Sequence, residues 1–390
     1  MKYMGHKGKL LPVLGDVLSY ESRNSQRVAD PFCGSAAVSW FLAQKTKKIV
    51  VSGDLQSFAV ARAAAVVRRT LVIDPYPLID NWFRSAKKIV NTISSNFPNA
   101  HQSIQPDLVS AGKIKTVVLR SRKFCQSVLP TVLSQFDGDF PITLAYGGHY
   151  FSPLQALELD ALRQSVPNDP FFKDVCIAAL VEAASKCAAA PGHTAQPFQP
   201  TVTAARYIIE AWSRDVWSLV EQAATEISSL HASAAGTAEQ GDYLQGIAGL
   251  EPGDLVFADP PYSDVHYSRF YHVLETLARG VSVNVSGVGR YPPLSERPPS
   301  SFSRKGESHS AARALVEFCA KQELGLVLTF PSSQASNGLA ASDFISYGRK
   351  MFSSIEVIEV NSTFSTLGGG GGNRGGRKEC KESIVCFRHS

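Results

Sequence analysis

The sequence predicts an open α/β sheet interrupted by a mainly helical insertion. Short apolar runs ending near residue 30 and at 49–53, 255–258 and 324–330 alternate with helical periodicity towards both ends of the chain. From about Asp74 to His231 strand-like alternation is scarce and helical stretches dominate. The run 255–258 stops abruptly in Asp259-Pro260-Pro261-Tyr262. Each proline lacks an N–H and has a fixed φ, so the strand ends there in a rigid turn. In open α/β sheets ligands sit at the carboxyl ends of strands. The α/β part is expected at 1–75 and 236–390, and the insertion at 76–235.

Bulk composition sets limits. The 390 residues suffice for roughly two domains. With 44% hydrophobic and 19% charged residues, wholesale disorder is excluded. The net charge of +5 is a mild bias compatible with a polyanionic partner. No apolar run approaches the ~18 residues of a membrane span, and the N-terminus has no apolar signal core. A cytoplasmic protein without membrane association is expected. Seven scattered cysteines without Cys-x-x-Cys spacing suggest reduced thiols and no zinc site.

In chain order, the first ten residues alternate glycines with bases around Tyr3. Gly5 and Gly8 allow close backbone approach to a ligand, and Lys2, Lys7 and Lys9 suit a carboxylate; a frayed basic terminus is the rival reading. A helix is expected at Leu10–Leu18. Asp30-Pro31-Phe32-Cys33-Gly34-Ser35-Ala36 reads as a strand end, a tight turn and the start of a helix. Such a turn grips nucleotide-like cofactors. Ala36 stands where a second glycine is usual. The strand 49–53 ends in Asp54, followed by Leu55 and 20 residues beyond Gly34. That spacing suits an acceptor for ribose hydroxyls, or equally a helix cap.

The insertion is expected to carry helices at Leu78–Ile93, Leu154–Arg163, Phe171–Ala189 and Ala204–Leu230. Within 75–130, Lys113, Lys115, Arg120, Arg122 and Lys123 belong to a local basic excess faced only by Asp80 and Asp107. It suits phosphate contact, or simply a solvated basic face. His149 and His193 read as loop histidines rather than metal ligands.

The α/β pattern returns near Asp242-Tyr243. An acid followed by an aromatic there suits the amino group and ring of an adenine. After Tyr262, the aromatic and basic residues Tyr267, Arg269 and Tyr271 suit an extruded base and its phosphates; Phe270 is expected in the helix core. Residues 287–309 form a long polar loop with Arg290 and Arg297, and 368–376 a glycine-rich tip, nucleic-acid-binding or merely flexible.

The catalytic candidates are Asp259, Pro260, Pro261 and Tyr262. A carboxylate and a rigid prolyl carbonyl both accept from one amino group, and the Tyr ring offers a face for a planar base. A plain Pro-rich surface turn is the alternative for these four residues alone.

Taken in this order, the motifs resemble the Dam-like DNA adenine-N6 methyltransferases. The resemblance covers roughly 1–75 and 240–390. It implies a Rossmann-like S-adenosylmethionine methyltransferase sheet with an inserted helical target-recognition domain. By matching position, Tyr3 and Lys7 would contact S-adenosylmethionine, and Asp30, Phe32, Gly34 and Ser35 would face its methionine part. Asp54 with Leu55 would meet its ribose, and Asp242 with Tyr243 its adenine. Ala36 departs from the pattern, with modest crowding expected. Asp at 259 favours adenine over cytosine N4. The implied reaction is methyl transfer to a flipped-out adenine of double-stranded DNA, without a metal. RNA adenine methylation, cytosine-N4 methylation and a non-catalytic binding subunit are the rivals. Whether a restriction nuclease or defence-system subunit accompanies the chain is left open by the residues.

Overall fold

The computed structural model describes residue 7 and residues 10–95, 110–365 and 377–389, with side chains left aside at 362–365 and 377–380. Tyr3 and the tip 368–376 lie outside the described residues. By internal contacts the chain forms two compact units. One comprises Met4–Leu71, His231–Tyr267 and Pro298–Ser390; the other takes Val72–Leu230 together with Ser268–Arg297. That last segment lies beyond the expected insertion.

The first unit is α/β. Its strands are β1 (Arg27–Asp30), β2 (Ile49–Asp54), β3 (Thr237–Gln240), β4 (Leu255–Ala258), β5 (Gly325–Pro331), β6 (Ser354–Ser365) and β7 (Arg377–Arg388). They form one sheet in the order β3-β2-β1-β4-β5-β7-β6. The first five run parallel, and β7 lies antiparallel between β5 and β6. All four residues of β4 are buried, as are six of seven in β5, the continuous apolar pattern of strands covered on both faces. Chain order reverses between β1 and β4, and that switch point is where open sheets leave a crevice. The sheet is of the Rossmann-like methyltransferase kind. The short edge strand β3 carries no apolar alternation, so the sequence gives no sign of it.

The second unit is helical. Asp169 caps the helix Pro170–Cys187 through the N–H groups of Phe171 and Phe172, and Ser152 with Gln155 forms a capping box on Pro153–Gln164. The single helix expected at Ala204–Leu230 is two, Ala205–Trp212 and Val216–Ser229. Asp215 causes the break: its carboxylate accepts from the Ser218 N–H and starts a new helix. Among the described residues no helix is long and apolar enough to cross a membrane.

Candidate active site

Asp259 stands just past β4 beside the carboxyl end of β5. Ala258 pairs with Leu328, which brings Thr329 alongside. Asp259 Oδ1 accepts from Thr329 Oγ1 at 2.9 Å, faces Lys7 Nζ at 3.0 Å, and accepts from the Tyr262 hydroxyl. All three partners fall on this one oxygen; Oδ2 takes none among the described residues. The Asn337 amide donates to the Pro261 carbonyl at 2.9 Å and to the Phe302 carbonyl at 3.1 Å, bracing the turn. The preceding carbonyl, that of Pro260, accepts no hydrogen bond among the described residues.

The Lys7 ammonium is buried between two carboxylates, Asp259 and Glu382. It also donates to the Tyr262 hydroxyl and lies 5.1 Å from that ring's centroid. Glu382 opens the described side chains of β7 but one, and pairs with Pro331 at the end of β5, so antiparallel pairing delivers it here. Burial by itself lowers the pKa of Lys7, but Asp259 and Glu382 outweigh it and the net shift is upward. Burial pushes the Asp259 carboxyl up; Lys7 opposes this, Glu382 adds to it, and the net direction is upward. Burial and then the two carboxylates hold the Tyr262 phenol well above its usual range, so it remains a neutral donor. Its ring packs edge-on against Phe330.

On the neighbouring strand, Asp30 ends β1 fully buried. Its Oδ2 accepts from Ser39 Oγ at 2.6 Å, and Ser39 is backed by Ser52 at 2.9 Å. Its Oδ1 is buried with no hydrogen-bond partner. Burial, above all, raises its pKa to about 7, with Asp259 and Asp54 adding to the rise. Asp54 accepts from the N–H groups of Gly34 and Gln56, both at 3.0 Å, and so ties β2 to the β1 turn while turning its own chain into the next helix. Gly34 and Ala36 have φ of 46° and 64°. Ala36 therefore carries backbone strain in the left-handed region, a cost separate from any crowding of its methyl group. The Leu55 carbonyl accepts from Gln240, and the Ser35 carbonyl from Arg62.

Asp242 caps the short helix Tyr243–Ile247, accepting from the Leu244 N–H while Gln245 returns the bond. Tyr243 is a core residue. Its ring stacks on Phe32 at 5.5 Å and 20°, and its hydroxyl donates to the Ala311 carbonyl. That leaves the half-buried Phe32 as the aromatic at the turn.

The α/β unit thus gathers Lys7, Asp30, Phe32, Gly34, Ser35, Asp54, Leu55, Asp242 and Asp259–Tyr262; Tyr267 belongs to it as well. In the helical unit, Lys113, Lys115, Arg120 and Lys123 are exposed on or beside the helix Ile114–Lys123, and Arg122 is half-buried. Arg269 is half-buried on the helix Ser268–Arg279. Tyr271, on the same helix, is fully buried, as are Leu274 and Ala278 on the same side of the helix. Sequence reasoning missed Glu382, Thr329 and Asn337. Thr329 carried a signal, as a lone polar group in the apolar strand β5, whereas Glu382 sits in a polar stretch of β7 that marks nothing. Asn337 carried none.

Residues 3–103 match the D12 class N6 adenine-specific DNA methyltransferase family. The matched span is about a quarter of the chain. It contains Lys7, Asp30, Gly34 and Asp54 and stops well before Asp259. The Asp-Pro-Pro-Tyr turn lies outside the matched span. The family is an enzyme class, and its substrate is DNA. No curated protein matches the chain.

Proposed function

We propose that the protein transfers a methyl group from S-adenosylmethionine to N6 of a flipped-out adenine in double-stranded DNA, with Asp259 to Tyr262 as its catalytic turn. The supporting observation is that, among the described residues, Asp259 Oδ2 and the Pro260 carbonyl accept no hydrogen bond, on a turn whose Asp259 Oδ1 and Pro261 carbonyl are bonded. Two acceptors suit the two N–H bonds of one exocyclic amine. Accepting from both leaves the nitrogen lone pair available. Anchoring at Oδ1 by Lys7, Thr329 and Tyr262 fixes the carboxylate before the base arrives, which avoids reorganisation during reaction. The Tyr262 ring provides the stacking face. Extruding the base costs a few kcal/mol of stacking and pairing.

S-adenosylmethionine supplies an electrophilic methyl group when bound. The residues of the β1 turn fit it: the orphaned Asp30 Oδ1 is a buried acceptor suited to a cationic ammonium. Asp30, Phe32, Gly34 and Ser35 would hold the methionine part, Asp54 and Leu55 the ribose, and Asp242 the adenine. The helical unit would carry target recognition.

Incubating genomic DNA with the protein and labelled S-adenosylmethionine, then sequencing for modified bases, tests this. N6-methyladenine at one recurrent site is expected. Label appearing in cytosine, or only in RNA, would overturn it.

A further inference from the structure

Four arginines of the helical unit lie around a packed aromatic group, and among the described residues no acid pairs with any of them. Ser286 and Tyr291 exchange both backbone hydrogen bonds at 2.9 Å, making a tight hairpin. Tyr291 packs 4.9 Å from His272. Arg269 and Arg297 lie over the Tyr291 ring, with guanidinium carbons 4.7 and 5.7 Å from its centroid. Arg290, at φ 54°, is held left-handed by the hairpin while its Nε donates to the Ala145 carbonyl at 2.8 Å. Arg122 donates from Nε to the Gly148 carbonyl at 3.1 Å.

The pattern of anchoring is specific. Arg122, Arg269 and Arg290 are each tied by Nε, to a carbonyl or to the Tyr291 hydroxyl. Their terminal amino groups make no ion pair among the described residues. Arg122 Nη2 and Arg297 Nε are buried without any hydrogen-bond partner. Glu296, exposed in the same loop, pairs with none of them. Burial first, then Arg122 and Arg290, drive the His149 pKa down to about 3, so this histidine adds a neutral ring rather than charge. Buried donors without acceptors are costly, and four cations without a counterion more so. A structural role would be satisfied by one paired carboxylate; among the described residues none pairs with these arginines.

We propose that Arg122, Arg269, Arg290 and Arg297 form a phosphate-binding site whose ligand is the phosphodiester backbone of DNA. Guanidinium forks match phosphate oxygens, and such contacts position a duplex without reading its sequence. The choice of DNA rests on the methylation reading above; the anion site itself does not. Two of the arginines, Arg290 and Arg297, come from the 287–309 loop, which supplies a function for it.

Arg297→Gln in the full chain is the test, because the Arg297 side chain makes no hydrogen bond whose loss would disturb the fold. Binding to duplexes of unrelated sequence is followed by fluorescence anisotropy over a salt series. Affinity should fall about tenfold at 0.1 M salt on every duplex, and the salt slope by about one. Equal affinity and slope in wild type and variant overturn the site. Inorganic phosphate is the second probe: it should raise the melting temperature of wild type more than that of Arg297→Gln, and equal shifts overturn the site independently of DNA. A wild type that methylates DNA while the variant binds it equally well sinks this site and leaves the methylation reading standing. A wild type that neither binds nor methylates DNA sinks that reading. An Arg297-dependent phosphate effect would then overturn the assignment to DNA alone.

Discussion

Two charged regions of this protein are built on opposite accounts. Around Lys7, one buried cation meets two carboxylates and a phenol, all within hydrogen-bond reach. In the helical unit, Arg269 and Arg297 lie over the Tyr291 ring while Arg122 and Arg290 are tied to the Gly148 and Ala145 carbonyls, and among the described residues no carboxylate pairs with any of the four. The first region is complete in its charge pairing, so its charges hold a geometry while Asp259 Oδ2 is left to meet a ligand. The second is incomplete, so its charges await a ligand. A buried ion set that satisfies itself is costly to break, whereas an unsatisfied one loses function, not stability, when trimmed.

The largest expected effect lies in the complete region. Asp259→Ala should reduce methyl transfer on the order of a thousandfold or more, by removing an acceptor aimed at the reacting amine. Glu382 still pairs with Lys7 in that variant, so folding and S-adenosylmethionine binding should survive. Single-turnover transfer to duplex DNA, with calorimetric cofactor binding as the control, checks it. Transfer at the wild-type rate would remove Asp259 from the mechanism.

Lys7→Met sharpens the contrast directly. It strands Asp259 and Glu382 as neighbouring buried acids, and about 3–5 kcal/mol of stability should be lost. Arg297→Gln should change stability by less than about 0.5 kcal/mol. Urea unfolding at pH 7 measures both. Equal losses would erase the distinction between the regions. Lys7 also carries a sign: its folded pKa is raised, so its stabilisation is present below the unfolded value and fades as pH climbs through the folded one. Alkaline unfolding of the wild type should be the steeper for it.

The distinction was only half legible in the sequence. The α/β class, the Asp-Pro-Pro-Tyr turn and the β1 turn were readable because apolar runs and prolines act locally. Glu382 was not, because it reaches Lys7 across 375 residues of chain by strand pairing alone. The burial of Tyr243 and Tyr271 was not legible for a related reason: an aromatic beside a site looks the same in sequence whether it faces ligand or core. The arginines of the 287–309 loop were visible as charge, yet their convergence on Tyr291 depends on a hairpin no local pattern announces.

A third region lies between these extremes. Asp30 is buried, half-satisfied and raised to about 7. Since its folded pKa exceeds the unfolded value near ~4, its contribution to stability is full below that value and is lost as pH rises through about 7. Glu158 and Asp160 in the helical unit are likewise raised to about 7, chiefly by burial, so Asp30→Asn should remove only part of the fall. The sharper measurement is cofactor affinity. A cationic ligand favours ionised Asp30, so calorimetric affinity for S-adenosylmethionine should rise from pH 6 to 8 in wild type and stay flat in Asp30→Asn. A parallel rise in both would detach Asp30 from the cofactor.

The smallest effect compares two backbone positions, one in each unit. Ala36 and Arg290 are non-glycine residues in the left-handed region, at φ 64° and 54°. Each conformation costs roughly 1–2 kcal/mol for a residue with a Cβ. Glycine relieves that cost but loses about 0.5–1 kcal/mol to unfolded-state entropy. Ala36→Gly should therefore gain less than about 1 kcal/mol in urea unfolding, with activity unchanged. Arg290→Gly relieves the same strain but removes a guanidinium from the cluster and its Nε bond to the Ala145 carbonyl, so its DNA affinity should fall and it should not share the gain in stability of Ala36→Gly. If Arg290→Gly binds DNA like wild type, the strain at that hairpin has no tie to binding, and the incomplete region is merely a packed loop.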